Sequence, residues 1–275
     1  MIVEPAPAKI NLALHVRSRR DDGYHEIETL FAFLREGDEI RLAPGTAAFA
    51  IEGPFAGALA GEGDNLVTRA AAAYAGAFHV PADGNITLVK RLPVASGIGG
   101  GSADAAAVLR ALARRDGVAL DDPRLFAIAD ALGSDVPACL LGRSAVGRGR
   151  GERLEPLDGL AGTPVLLVNP GVAVSTAAVF AAWDRTDRGE IGQGPLLDRA
   201  MNGRNDLEAP ARAIAPVIGE ALALLREAGP AKLVRMSGSG ATCFALYDRK
   251  ADRAAAAQAI RTARPGWWCL ESTLA

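Results

Sequence analysis

Cysteine and histidine are scarce in this chain, and what there is lies scattered. Cys139, Cys243 and Cys269 are the only three cysteines in 275 residues, with no CxxC among them, and His15, His25 and His79 form no HExxH. This excludes a disulfide framework and any sequence-marked zinc site, and it suits a reducing compartment. No apolar run approaches the roughly 18–20 residues of a membrane span. The amino-terminal MIVEPAPAKINLALHV is charged at both ends of a short apolar stretch and lacks a signal-peptide core. A cytoplasmic protein without a membrane partner is therefore expected. A formal charge of −2 leaves no basic footprint for nucleic acid. No Gly-Lys dipeptide occurs anywhere, which removes the lysine-type phosphate loop, and the HRD and DFG signatures of protein kinases are absent.

What is present is an ordinary globular composition, 49% hydrophobic and 23% charged, long enough for one large domain or two of ordinary size. The basic residues are 26 arginines and four lysines, Lys9, Lys90, Lys232 and Lys250. In a chain this partial to arginine, a retained lysine draws notice for its compact, mobile ammonium, although a solvated surface is the ordinary use of any one of them.

Period-two alternation in KINLALHV, with Ile10, Leu12, Leu14 and Val16 on one face, predicts a strand. RSRRDDGYH (17–25) reads as a polar turn. EIETLFAFL, DEIRLAP and AAFAIEG read as separate strands divided by glycine-bearing turns. Helical composition covers 65–78, strand 86–92, helix from the glycine cluster to Gly117, and a further helix about 122–132. GRSAVGRGRGERLEP (142–156) reads as the domain junction, giving domains 1–155 and 156–275. Beyond it the order strand, helices, strand, strand, helix, strand is the split βαβ plan of a ferredoxin-like domain.

The densest signal is LPVASGIGGGSADAA (92–106), with Gly97, Gly99, Gly100 and Gly101 in five positions. As a dinucleotide fingerprint it fails at the third glycine, where Ser102 stands, and it follows several strands instead of opening a βαβ unit. What remains is a strand stopped by Pro93, a tight glycine turn and a helix beginning near Ser102. Such a helix start presents unpaired N–H groups and the positive end of its dipole, an anion cradle that needs no lysine. Ser102 can cap that helix or lend its hydroxyl to phosphate or metal. A plain strand-to-helix connection is the alternative, though it rarely calls for four glycines.

PVASGIGGGSADAA resembles the phosphate loop of the GHMP kinases, PAKINLALHV (7–16) their first strand, and MSGSGATCFAL (236–246) their carboxy-terminal glycine motif. Ala95, Ser96, Ile98 and Ala103 depart from the common pattern of that loop and leave its four glycines and Ser102 intact. DGYHEIETLFAFL, GSDVP, NPG and NDLE narrow the resemblance to the 4-diphosphocytidyl-2-C-methyl-D-erythritol kinase family over residues 5–247. The resemblance implies an α+β, two-domain GHMP kinase fold, with an amino-terminal ribosomal-protein-S5-domain-2-like domain and a carboxy-terminal ferredoxin-like domain. It also implies an ATP-dependent small-molecule kinase of the non-mevalonate pathway acting on the 2-hydroxyl of 4-CDP-2-C-methyl-D-erythritol, as a monomer or homodimer.

Phosphoryl transfer to an alcohol needs a cradle, charge stabilisation and a group to orient or deprotonate the hydroxyl. Pro93, Val94, Ala95, Ser96, Gly97, Ile98, Gly99, Gly100, Gly101, Ser102 and Ala103 supply the ATP cradle. Asn65 caps the helix it opens or lies near the adenine. The resemblance makes Asp135 the base; on sequence alone a helix cap is the stronger reading of it. Lys9 can pair with that carboxylate while meeting the γ-phosphate or the acceptor oxygen. Asn11, two residues on, shares a strand face with Lys9 and can meet substrate hydroxyls. In a chain with 5% aromatics, Tyr24 and His25 sit in a polar turn where core packing explains them poorly. The resemblance has Tyr24 stack on cytosine and His25 hydrogen-bond it, with Phe180 closing the sandwich unless it is a core residue, and Thr176 a further contact. Ser237, Gly238, Ser239 and Gly240 form either a hairpin turn or a substrate contact. Asn205 and Glu208 read as a structural capping pair. Mg²⁺ is expected to bridge the phosphates, with Ser102 the one ligand the sequence names.

Overall fold

In this computed structural model, residues 1–59 and 65–275 are described. The chain forms two compact units, each assembled from separated stretches: residues 1–9, 36–94 and 99–142 in the first, and 10–35, 95–98 and 143–275 in the second. Two long strands, β1 (Ile2–Arg19) and β2 (His25–Ala43), contribute to both. The two segments EIETLFAFL and DEIRLAP are therefore one strand, not two. Gly37 does not turn the chain; it stays extended where a Cβ would lie 2.1 Å from the carbonyl oxygen of Ala6. The glycine allows two backbones to pass closely, which sequence patterning reads as a turn.

In the first unit, β2 pairs antiparallel with β4 (Asn85–Val89), and β3 (Phe49–Glu52) lies parallel to β4. It also holds the α-helices α1 (Leu66–Phe78), α2 (Gly100–Asp116), α3 (Pro123–Leu132) and α4 (Val136–Leu141). Helix α2 is buried from Ala103 to Ala113, and its alanines let α1 and α4 pack closely against it. Val108, Leu109 and Leu112 supply larger apolar groups there, each worth about 1.5–3 kcal/mol when fully buried. The helix stops where the sequence predicts, at Gly117 in the left-handed region, whose N–H donates to Ala113 O.

In the second unit, the stretch read as the domain junction contains a hairpin. Strands β5 (Ala145–Gly149) and β6 (Arg153–Pro156) pair antiparallel, and β5 pairs with β2 through Ile27–Phe31. Gly149 and Gly151, both at positive φ, make its turn. Next come β7 (Pro164–Asn169), α5 (Thr176–Ala181), α6 (Leu196–Asn202), α7 (Glu208–Ile214), α8 (Val217–Glu227), β8 (Leu233–Met236), β9 (Cys243–Leu246), α9 (Lys250–Ala263) and β10 (Trp268–Thr273). Sheet order β10-β7-β9-β8, antiparallel throughout, is what two split βαβ units produce. Leu166, Val168, Cys243 and Ala245 meet Ile218, Leu222, Leu225 and Ile260 in its core. Among the described residues no helix is long and apolar enough to cross a membrane.

Candidate active site

Strand β1 places Lys9 in the first unit, 3% exposed, with its Nζ 2.8 Å from Asp135 Oδ2. Asp135 occupies the cap position of α4, yet its side chain makes no capping hydrogen bond. The carboxylate therefore faces an ammonium, and the capping alternative drawn from sequence does not describe what it does.

The far end of the glycine loop belongs to the same unit. Gly99, at φ 66, is the cap residue of α2 and brings no side-chain acceptor to it. The N–H groups of Gly100, Gly101 and Ser102 thus open the helix without intrahelical acceptors. A Cβ on Gly99 would lie 2.9 Å from Lys9 Cε, so the lysine stem passes directly against the loop. Ser102 is the third residue of α2 and not its cap, which leaves its partly exposed hydroxyl for another partner. Ile98 and Ala103 are buried, and the Ala103 N–H donates to Gly99 O at 2.8 Å.

A second cluster lies wholly within the other unit. Gly97, at φ 77, approaches the SGSG turn so closely that a Cβ would stand 2.5 Å from Gly240 O. Ser237 Oγ donates to Gly97 O at 2.9 Å and accepts from Asn11 N at 3.2 Å. Asn11 Nδ2 in turn donates to Thr29 Oγ1 at 2.8 Å, and Thr176 and Ser239 share a hydroxyl–hydroxyl bond of 2.9 Å. The SGSG segment is thus a hairpin turn between β8 and β9, and it also braces the glycine loop.

Tyr24 stands on the turn following β1, half exposed, with the Arg150 guanidinium 5.0 Å from its ring centre. The His25 ring lies 4.9 Å from Phe180 and 5.8 Å from Trp183, the second contact edge-on. Burial, with the nearby Arg19 charge, holds the His25 pKa below its ordinary value. Its imidazole is therefore neutral at pH 7 and offers one donor and one acceptor. Phe180 is partly buried, packs against the core and meets the His25 ring.

The family model described as GHMP kinases N terminal domain matches residues 65–143, and the one described as GHMP kinases C terminal matches 188–265. A 4-diphosphocytidyl-2-C-methyl-D-erythritol kinase of Rhizorhabdus wittichii is 59% identical to this chain, covering 98% of it and 94% of the relative. A protein of the same name from Novosphingobium aromaticivorans is 50% identical, with 98% and 92% covered. The chain belongs to the 4-diphosphocytidyl-2-C-methyl-D-erythritol kinase family. A crystal structure of 4-(cytidine 5'-diphospho)-2C-methyl-D-erythritol kinase matches with a TM-score of 0.78 and 37% identity, over 99% of each chain. A homoserine kinase of Cytophaga hutchinsonii matches at 0.68 with 19% identity, a likeness of fold alone.

As a member of this kinase family the chain is a small-molecule phosphotransferase using ATP. Asn65 caps α1, its Oδ1 accepting from Val67 N at 2.8 Å. The pairing of Asn205 with Glu208 is not a capping box. Asn205 Oδ1 accepts from Leu207 N, and its Nδ2 donates to Met236 O and Gly238 O, both at 2.8 Å, so it supports the SGSG turn. Sequence reasoning missed Trp183 and Arg150. Trp183 lies just beyond α5, in the turn where its N–H donates to Phe180 O at 3.2 Å. Among the described residues no group of three or more His, Cys, Asp or Glu could hold a metal. The partly exposed Ser102 hydroxyl, beside the N–H groups that open α2, is an oxygen donor of the kind Mg²⁺ accepts.

Proposed function

We propose that this chain transfers the γ-phosphoryl group of ATP to the 2-hydroxyl of 4-CDP-2-C-methyl-D-erythritol, yielding the 2-phosphate and ADP in the non-mevalonate route. The observation that carries the mechanism is the Lys9–Asp135 contact of 2.8 Å, made by a carboxylate that does not cap its own helix. Asp135 takes the proton of the acceptor hydroxyl as its oxygen attacks phosphorus in line. Lys9 Nζ orients that carboxylate and offsets the charge spreading over the transferring group. Backbone N–H groups of the glycine loop, those of Gly100, Gly101 and Ser102 foremost, hold the phosphates, and the Ser102 hydroxyl would hold Mg²⁺, which would supply charge neutralisation at the donor phosphates.

Recognition of the acceptor falls to the second cluster. Tyr24 and Phe180 offer ring faces to cytosine, and neutral His25 meets its hydrogen-bonding edge. Asn11, Thr176 and the SGSG turn face the erythritol and its diphosphate, and Asn65 lies toward the adenine. In this reading residues 1–155 bind the donor and 156–275 help form the acceptor site. A cytoplasmic location fits the composition. The deciding experiment is an ADP-release assay with 4-CDP-2-C-methyl-D-erythritol, homoserine and phosphomevalonate in parallel, with mass measurement of the product. Turnover confined to the cytidine substrate is expected. ATP binding without turnover on any acceptor would make the chain a nucleotide-dependent binding protein instead.

A further inference from the structure

Close beside the first turn of α2 lies a buried charge cluster that the proposed chemistry does not use. Lys90, directly after β4, donates from Nζ to Asp38 Oδ2 at 2.6 Å and to Asp104 Oδ2 at 2.7 Å. All three side chains belong to residues only 2% exposed. The other oxygen of Asp38 accepts from the backbone N–H groups of Arg91 and Leu92, at 2.5 and 2.8 Å. Asp104 lies one turn into α2, and a Cβ on Gly100 would be 3.1 Å from Lys90 Nζ. The ammonium thus sits against the residue that opens the helix.

These contacts grip both sides of the glycine loop. Asp38 fixes the backbone at 91 and 92, where the chain leaves β4, and Lys90 ties that point to Asp104, where the chain has become helix. Stability alone explains the cluster poorly. It holds two carboxylates to one ammonium, and Asp104 Oδ1 has no hydrogen-bond partner among the described residues. Apolar replacements of buried ionic groups are often neutral or stabilising, so the use of this cluster lies in geometry.

We propose that Asp38, Lys90 and Asp104 are positioning residues that set the span of the glycine loop so that its N–H groups converge on the donor phosphates. This rests on reading residues 93–103 as the ATP cradle. The test compares Asp104→Leu with Asp104→Asn. The first leaves Lys90 and Asp38 as a balanced pair but cuts the tie to α2; the second keeps an oxygen for Lys90. Thermal melting, ATP binding by calorimetry and steady-state kinetics are measured for both variants and for the unaltered chain. Asp104→Leu is expected to fold, to raise KM for ATP about 10- to 100-fold, the equivalent of one charged hydrogen bond, and to leave KM for the acceptor unchanged. Asp104→Asn is expected to restore most of the ATP affinity.

Unchanged KM for ATP in folded Asp104→Leu overturns the proposal, as does an Asp104→Asn variant as impaired as the leucine one. Equal losses for ATP and acceptor overturn it too, since they signal general loosening. Should Asp104→Leu not fold, Asp104→Ala carries the same expectation. Failure of the unaltered chain to bind ATP would instead overturn the cradle reading, and the proposal with it.

Discussion

Lys9 Nζ and Asp135 Oδ2 stand 2.8 Å apart, the lysine side chain 4% exposed and the aspartate side chain 34%. One partner is immobilised within the protein and the other opens to solvent, an arrangement suited to a carboxylate that must reach an incoming hydroxyl. Replacing Asp135 by asparagine keeps the shape and the contact to Lys9 but removes the proton acceptor. Asp135→Asn is expected to lower kcat by about 10²- to 10⁴-fold with little change in either KM. Steady-state kinetics decide it, and near-normal turnover would remove Asp135 from the role of base.

Tyr24 is the half-exposed aromatic of the acceptor cluster, and a stacked base is worth about 1–3 kcal/mol by alanine substitution. Tyr24→Ala should therefore raise KM for the cytidine substrate by about 5- to 150-fold, while kcat stays near its original value. Tyr24→Phe should retain the affinity, because the ring face does the stacking. An unchanged KM in the alanine variant would break the stacking model.

The glycines at 97 and 99 should fail in different ways when given a methyl group. Both have positive φ, which strains any other residue by about 1–3 kcal/mol. At Gly97 the new Cβ would strike the backbone oxygens of Gly240 and Ser237, which cannot move aside cheaply. At Gly99 it would strike the stem of Lys9, a flexible side chain. Gly97→Ala is expected to lose mainly stability, seen as a lower melting temperature. Gly99→Ala should keep more of its stability and lose kcat, because Lys9 is pushed from Asp135. Identical melting and kinetic profiles would contradict this division.

How far the sequence carried each of these points depends on whether the cause was local. Helix α2 was legible to its last residue because alanine content, a basic last turn and Gly117 all act within the helix itself. The carboxy-terminal sheet was legible because strand and helix periods alternate cleanly along the chain. Strand β2 was misread at Gly37, and the β5–β6 hairpin within 142–156 was not read, because a glycine serves a turn or a close approach alike and only the neighbour across space decides. Asp135 shows the same limit. Its cap position is a local fact, but the lysine that claims its carboxylate lies 126 positions earlier in the sequence. Lys90 gave only a weak signal as one of four lysines, since its two aspartates come from other elements.

Acid should weaken the fold through His15. The residue is 2% exposed; its Nδ1 donates to Gly189 O at 2.9 Å, and its Nε2 accepts from Arg204 N at 3.2 Å. Both ring nitrogens are thus committed to the neutral form, and a proton on Nε2 would break the bond from Arg204. Burial above all, together with the Arg204 charge, holds the pKa below the ordinary 6.5, against the opposing pull of Gly189 O, Asp206 and Glu28. The folded state therefore binds fewer protons than the unfolded chain once pH falls below about 6.5. Stability contributed by neutral His15 is complete above that value and is lost progressively as pH drops toward the folded pKa, by at most about 1.4 kcal/mol per pH unit. Urea unfolding at pH 7.5, 6.5 and 5.5 should show this slope in the unaltered chain and a shallower one in His15→Gln, whose side chain cannot titrate. Parallel slopes in the two proteins would mean that the acid sensitivity originates in another group, with His25, whose pKa is also lowered by burial, the next to replace.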